Sequence, residues 1–199
     1  MANSEQLHLI HQGRSVWNRW RQAHPTITVD LSFARLSGLD LSHFNLASAL
    51  LTSSDLSHAN LSDANCRGAN LLDANLSRAN LGRSSLLSAN LINANLTRAQ
   101  LQAADLNSAR LIRAQLVGAS CEAADFQQAN LSQANCRGCH FSQANLSGTN
   151  FWAANLQRAD LYQARLSAQT NLKASRWNRT VLPSGEVATQ ALALEYIQA

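Results

Sequence analysis

From Leu31 to Leu166 a large apolar residue stands at every fifth position, 28 times in succession and without an insertion. Twenty-two of these are Leu, three are Phe (Phe126, Phe141, Phe151) and three are Cys (Cys66, Cys121, Cys136). The residue two before each is Ala in 21 of the 28 cases, and most exceptions there are small: Ser54, Ser84, Cys139 and Thr149. Asn or Asp mostly separates the two. A period of five is neither the 3.6 of an amphipathic helix nor the 2 of a regular strand. Each unit of five must then be a complete structural step that puts one large and one small apolar group inside. Asn, Asp, Gly and Ser crowd each step, and these residues tolerate turns. The pattern predicts a short extended segment and a turn, repeated into a coil. The period alone leaves the number of sides open.

The tandem A(D/N)LXX pattern, as in Ala59-Asn60-Leu61 and Ala159-Asp160-Leu161, resembles the pentapeptide-repeat family over 140 of the 199 residues. That resemblance implies an all-β solenoid: a right-handed quadrilateral parallel β-helix of about seven coils over residues 29–168, with helical end caps. It also implies that the Leu position points to the axis and the preceding Ala fills a corner. Coils stacked like parallel strands about 4.8 Å apart would make a rod roughly 34 Å long. The core volume is compensated along the chain. Cys121 precedes Phe126 and Cys136 precedes Phe141 by one step, so a small centre offsets a large neighbour, as close packing requires.

Both ends of such a stack leave strand edges that need covering. Residues 1–28 read as an N-terminal capping helix and linker. Over residues 4–22, Leu9, Ile10, Gly13, Val16, Trp17 and Trp20 share one helical stripe, and Pro25 follows. Leu39 and Phe44 are bulky corner residues suited to receive that helix. The run from Gly13 through Trp17-Asn18-Arg19-Trp20-Arg21 to Pro25 resembles the leader of several cyanobacterial pentapeptide-repeat proteins. Residues 169–199 read as a C-terminal cap. Asn171 falls in the next central slot, Pro183-Ser184-Gly185 forms a turn, and Glu186–Gln198 is predicted as a short closing helix.

Apolar residues make up 46% of the chain and charged residues 14%, which excludes a disordered polyelectrolyte. The net charge of +4 neither demands nor excludes an anionic partner. No apolar run approaches the roughly 20 residues of a membrane-spanning helix. Met1–Gln6 lack a basic region followed by an apolar one, so no secretory signal is read there. Four cysteines are too few for a disulfide scaffold. These features predict a cytoplasmic protein with reduced thiols.

Motifs that suggest chemistry fail on register. Cys136-Arg137-Gly138-Cys139-His140 matches the CxxCH pattern of haem attachment, but Cys136 is a central residue and Cys139 a corner one. Both thiols would point into a filled interior. The same template recurs at Cys66-Arg67-Gly68-Ala69-Asn70, which marks it as repeat drift. The six Asn-x-Ser/Thr sequons are by-products of the repeat. The six His are scattered, and neither a nucleophile elbow nor a phosphate loop occurs. Catalytic, cofactor and metal residues are therefore not assigned, and the chain is read as no enzyme. Arg14, Arg19 and Arg21 beside two Trp would suit a membrane-surface helix, but the need to cover an edge favours a cap.

The remaining information lies in the outward residues. One side carries Arg35, Arg78, Arg98, Arg137 and Arg158 against Asp55, and the next carries Asp40, Asp63, Glu122 and Asp160 against Arg83. A third places Leu72, Ile92 and Ile112 in consecutive coils, with Trp152 two coils on, in an outward slot that is usually Ser elsewhere. These four are the candidate partner-binding residues, and the five arginines form a candidate basic face. The favoured function is a non-enzymatic scaffold or regulator that binds another protein, acting as a monomer or weak homodimer. Cyanobacterial proteins that the chain resembles include regulators of cell differentiation. A DNA-mimicking topoisomerase regulator, a role the family also contains, needs strongly negative faces and is disfavoured by the near-neutral coils. Nucleic-acid binding through the arginines lacks aromatic residues to stack bases.

Overall fold

The computed structural model describes residues 2–188. From Asp30 onward, every fifth residue forms a parallel β-bridge with the residue 20 positions later: Asp30 with Leu50, Arg35 with Asp55, Asp40 with Asn60, Asn45 with Asn65, and onward to Asn145 with Arg165. Twenty residues therefore make one layer with four bridging positions, and each layer stacks in register on the next. The molecule is a parallel β-solenoid whose individual strands are as short as a single bridging residue.

The repeat succeeds because it satisfies every backbone N–H of a unit, and residues 90–94 illustrate how. Asn90 donates back to the Ala69 carbonyl (2.9 Å), while Leu91 and Asn93 donate forward to Arg110 (2.7 Å) and Ile112 (3.0 Å). Ala94 closes a turn onto the Leu91 carbonyl at 3.1 Å. The remaining donor, Ile92 N–H, goes to the Asn90 side-chain oxygen at 3.4 Å. This is the job of the Asn/Asp position: its side chain takes the one amide that the ladder cannot use. The Asn amide then donates to the equivalent side chain one layer back, as from Asn80 to Asn60 and from Asn90 to Asn70. Such amide ladders are a known strength of stacked parallel strands.

The turn forces the second residue after each central one into the left-handed region, with φ near 57° at Asn93 and Arg98 alike. Arg, Ser, Gln and Ala all occupy this slot without glycine's freedom, at a cost of about 1–2 kcal/mol each. The forward hydrogen bond that each makes helps to offset it.

Inside, Leu31, Leu51, Leu71, Leu91 and Leu111 are all 0–1% exposed, as are their counterparts on the other three sides up to Leu161, while Leu166 is half-buried. The corner Ala residues between them are equally buried. Phe126, Phe141 and Phe151 meet edge-on, with ring centroids 5.4 and 6.0 Å apart, in the region where Cys121 and Cys136 leave room. Corner hydroxyls find carbonyls: Ser54 donates to Leu51, Ser84 to Leu81 and Thr149 to Phe126.

The N-terminal cap consists of two helices, where the sequence predicted one. α1 (Ser4–His11) and α2 (Arg14–Ala23) part at Gly13, whose φ of 92° no other residue type adopts without strain. The break lets both helices cover the first layer. Gln6 is buried, accepting from Asp30 N–H at 2.7 Å and donating to the Thr28 carbonyl at 3.0 Å. Asn18 does the same for Asn45 N–H and the His43 carbonyl. Trp17 is fully buried, its ring 6.3 Å from Phe44 and its indole N–H on the Asn45 carbonyl. Side chains of the cap thus substitute for a missing preceding layer.

The coiling does not stop where the strict repeat does. The unit between the bridging residues Arg165 and Asn171 is one residue longer than the rest, and its turn closes from Thr170 N–H to the Ser167 carbonyl instead of onto Leu166. Bridges then resume with an offset of 21: Asn150 to Asn171, Asn155 to Arg176 and Asp160 to Val181. Leu172, Trp177 and Leu182, not Asn171, fill the central slots and are 0–5% exposed. Residues 169–182, read from the sequence as closing cap, extend the ladder. Beyond them Val187 pairs antiparallel with Val181, so the segment at Glu186–Val187 is a hairpin arm where a helix was expected. The rest of the predicted closing helix, 189–198, lies outside the described residues.

Replacing Leu91 with Ala should destabilise the protein by about 2–5 kcal/mol in chemical denaturation. A loss under about 0.5 kcal/mol would contradict its place on the axis. Deleting residues 1–24 uncovers Phe44 and the first layer's polar edge. The truncated protein should aggregate or unfold at lower denaturant, and a monomer of unchanged midpoint would show that the helices are not a cap.

Candidate interaction surfaces

The register places the outward residues on definite sides. Leu72, Ile92 and Ile112 follow the bridging residues Asn70, Asn90 and Arg110 by two, so they form one column at intervals of one layer. All three are half-buried. Ser132 continues the column and Trp152, 44% exposed, ends it. Phe33, 63% exposed, stands at the other end of the same side. Phe33 escaped the sequence reading because it occupies the left-handed slot rather than the one that Leu72 holds. Asn70, Asn90 and Asn130 flank the strip, but their side chains are already committed to the ladder and to Leu72, Ile92 and Ser132 N–H. They can frame a partner more easily than bind it.

The basic side is larger than the sequence implied. Arg35, Arg78, Arg98, Arg137 and Arg158 are all exposed and share the segments centred on Leu36, Leu76, Leu96, Cys136 and Leu156. The one-residue offset in the last turn brings Arg176 beneath Asn155 and Arg179 beneath Arg158. Among the described residues, seven arginines therefore stand on one side with a single carboxylate, Asp55, for company. Among the described residues none of the seven makes an ion pair. Asp55 itself is occupied, accepting from Ser57 N–H (3.0 Å) and the Asn75 amide (3.0 Å). The Ser57 hydroxyl and amide hold its carboxyl below the usual range. Arg176 and Arg179 were missed because counting by five in the original register puts Arg176 in an inward central slot and Arg179 in a corner. The five-residue spacing of Leu172, Trp177 and Leu182 was the signal that could have found them.

The neighbouring side carries Asp40, Asp63, Glu122 and Asp160 with Arg83. There the charges are paired where they can be. Arg83 grips Asp63 one layer back with two bonds of 2.9 and 2.7 Å, and this contact lowers the Asp63 carboxyl's pKa. His43 lies 4.0 Å from the same carboxylate.

All four thiols are free and buried. Cys139 donates to the Leu116 carbonyl at 2.8 Å, while His140 is exposed on the outside. The CxxCH segment thus turns its sulfurs inward and its imidazole outward. Burial pushes the Cys66 thiol up to about 12 and raises Cys121 and Cys139 well above the ordinary value. No group of His, Cys, Asp and Glu side chains suited to a metal ion occurs among the described residues. Nor is any described helix long and apolar enough to cross a membrane.

A family model described as Pentapeptide repeats matches in eight copies, over residues 30–65, 59–98, 94–133 and 134–168. The chain belongs to the pentapeptide-repeat family. Three solved structures are similar to the chain. HetL, involved in heterocyst differentiation regulation in the cyanobacterium Nostoc sp. Strain PCC 7120, is 24% identical, with 94% of this chain and 100% of HetL covered and a TM-score of 0.38. Rfr23, from the cyanobacterium Cyanothece 51142, is 26% identical over 77% of this chain and 95% of its own, at a TM-score of 0.36. A trypsin-treated form of QnrB1, a plasmid-mediated fluoroquinolone resistance protein, is 17% identical over 86% and 97%, at 0.48. A comparison with curated proteins finds no match.

Because all four thiols are buried, they should react with an aromatic disulfide reagent only as fast as the protein unfolds. Rapid labelling of native Cys136 or Cys139 would contradict the inward placement. A thiol raised in the folded state favours folding below its unfolded pKa and loses that contribution as pH climbs toward its folded one. Stability should therefore fall between the ordinary thiol range and pH 12, and Cys66→Ala should flatten part of that fall.

Proposed function

We propose that this pentapeptide-repeat protein is a non-enzymatic interaction scaffold, a right-handed four-sided rod of about seven coils that presents an apolar strip to another protein. The observation that carries this reading is the strip itself. Leu72, Ile92 and Ile112 stack in consecutive layers outside the core, with Trp152 on the same side. Scattered apolar residues are normal on a surface, but an aligned column of them with an exposed aromatic at its end is what protein interfaces use. The filled interior supports a role without catalysis, since Leu and Ala occupy the axis and corners that a catalytic group would need to interrupt. Buried free thiols suit a reducing cytoplasm, and no oligomer beyond a monomer or weak homodimer is required.

A DNA-mimicking role is the weaker reading. It calls for a surface that imitates phosphates, whereas the chain's net charge is +4 and its most charged side is basic.

The test is a paired substitution, Ile92→Ser with Ile112→Ser, used as bait for partner capture from the native cell beside the wild-type protein. Both side chains lie outside the core, so the circular-dichroism spectrum should be unchanged while the captured partner is lost. Full capture with an intact spectrum would remove the strip from consideration.

A further inference from the structure

The basic side carries a more specific arrangement than a scatter of positive charge. Its left-handed slot reads, layer by layer, Gly38, His58, Arg78, Arg98, Gly118, Gly138, Arg158 and Arg179. Two stacked arginine pairs therefore bracket two bare layers. At Gly138 a methyl group would meet nothing within 4 Å, and at Gly118 only the Arg98 side chain at 3.8 Å. The pairs stand like charge over like charge, Arg78 donating its backbone N–H to Thr97 beside Arg98, and Arg158 to Asn178 beside Arg179. Like charges facing one another across strands destabilise a sheet. The chain avoids that cost on the adjacent side, where Arg83 stacks on Asp63. Here no carboxylate intervenes. Arg137, exposed in the outward slot beside Gly138, adds a fifth positive charge to the gap.

We propose that this arginine-bracketed saddle binds an extended acidic segment of a partner protein. Three layers separate Arg98 from Arg158, roughly 14 Å at the spacing of stacked parallel strands. An extended peptide covers about the same distance in four residues and presents every second side chain to one face. Carboxylates four residues apart can thus reach both arginine pairs while the backbone crosses the glycines. Arg suits this role because its planar fork donates to both oxygens of a carboxylate at once.

Duplex DNA fits the side poorly. Five residues span at most about 17 Å even fully extended, and the turn in each unit makes the side narrower still. The overhang on one edge would meet Asp40, Asp63, Glu122 and Asp160. Among the described residues no aromatic side chain lies in the saddle to stack an unpaired base either. This site is separate from the apolar strip, and its test does not depend on that strip's role.

The experiment is fluorescence anisotropy with full-length protein and a labelled 12-residue peptide carrying glutamate pairs four residues apart. A 20-base-pair duplex serves as the alternative probe. The peptide should bind in low salt and weaken steeply as salt rises. Arg98→Glu with Arg158→Glu should weaken it at least tenfold, and the uncharged pair Arg98→Gln with Arg158→Gln by a smaller factor. The same change of charge at exposed Arg110 and Arg113, on the neighbouring side, should alter it less than twofold. All variants should keep the wild-type melting temperature, and the Gln pair remains a valid test if the Glu pair does not. Equal losses in the saddle and control variants would reduce the effect to overall charge and overturn the site. Tighter binding of the duplex than of the peptide would overturn the class of partner, as would self-association of the protein through this side in sedimentation.

Discussion

The structure rests on hydrogen-bond closure within each five-residue unit. Three N–H groups bond to adjacent layers, a fourth closes the turn, and an Asn or Asp side chain takes the fifth. Buried or half-buried backbone donors are costly when unpaired, and a coil made of single bridging residues has no long strands to absorb errors. Hence the Asx position matters as much as the Leu. Where it is replaced, as by Arg35, Leu50 or Gln100, the following amide loses its side-chain acceptor and must rely on solvent. The left-handed residue in each turn is the conformational cost of this scheme. It recurs on all four sides, so the rod holds many small strains in balance against an uninterrupted ladder.

The same closure explains why the ends differ from the middle. A layer at the end has donors and acceptors with no layer to receive them, and exposed edges invite unwanted pairing. At the N-terminal end Gln6, Asn18, Trp17 and Arg21 supply side-chain partners to the first layer. Their amides and rings imitate the missing coil without repeating its sequence. At the other end the chain extends its own ladder through a longer turn and then folds Val187 back on Val181. Two physical solutions serve one requirement, and both bury a tryptophan: Trp17 in the helical cap, Trp177 in a central slot of the last layer.

A rod with a saturated interior keeps its freedom on the surface. Central and corner positions are fixed by volume, the Asx position by hydrogen bonding, and only the two turn positions vary widely. The apolar column uses one of these, and the bracketing arginines the other. Side chains in such slots repeat at layer spacing because the backbone holds them there. A loop-borne site would need packing to achieve the same order. The charge separation between adjacent sides follows from this economy: each side is an independent row whose composition changes without disturbing the core.

The repeating fold was legible in the sequence because a period of five over 28 positions admits no helix or ordinary strand. The inward Leu and Ala and the burial of Cys136 and Cys139 followed from counting, and the column of Leu72, Ile92 and Ile112 from the four-sided coil that the family resemblance implied. What counting could not supply was anything that broke the count. One extra residue between Arg165 and Asn171 shifts every later residue by one slot, and that shift carried Leu172 inside and Arg176 and Arg179 onto the outer surface of the basic side. The two-helix cap was likewise hidden, since the stripe from Leu9 to Trp20 looks continuous until Gly13 takes a left-handed turn. Pairing across layers was decided only in three dimensions. A side chain's neighbours in this rod lie 20 or 21 residues away, and a single inserted residue determines which of the two applies.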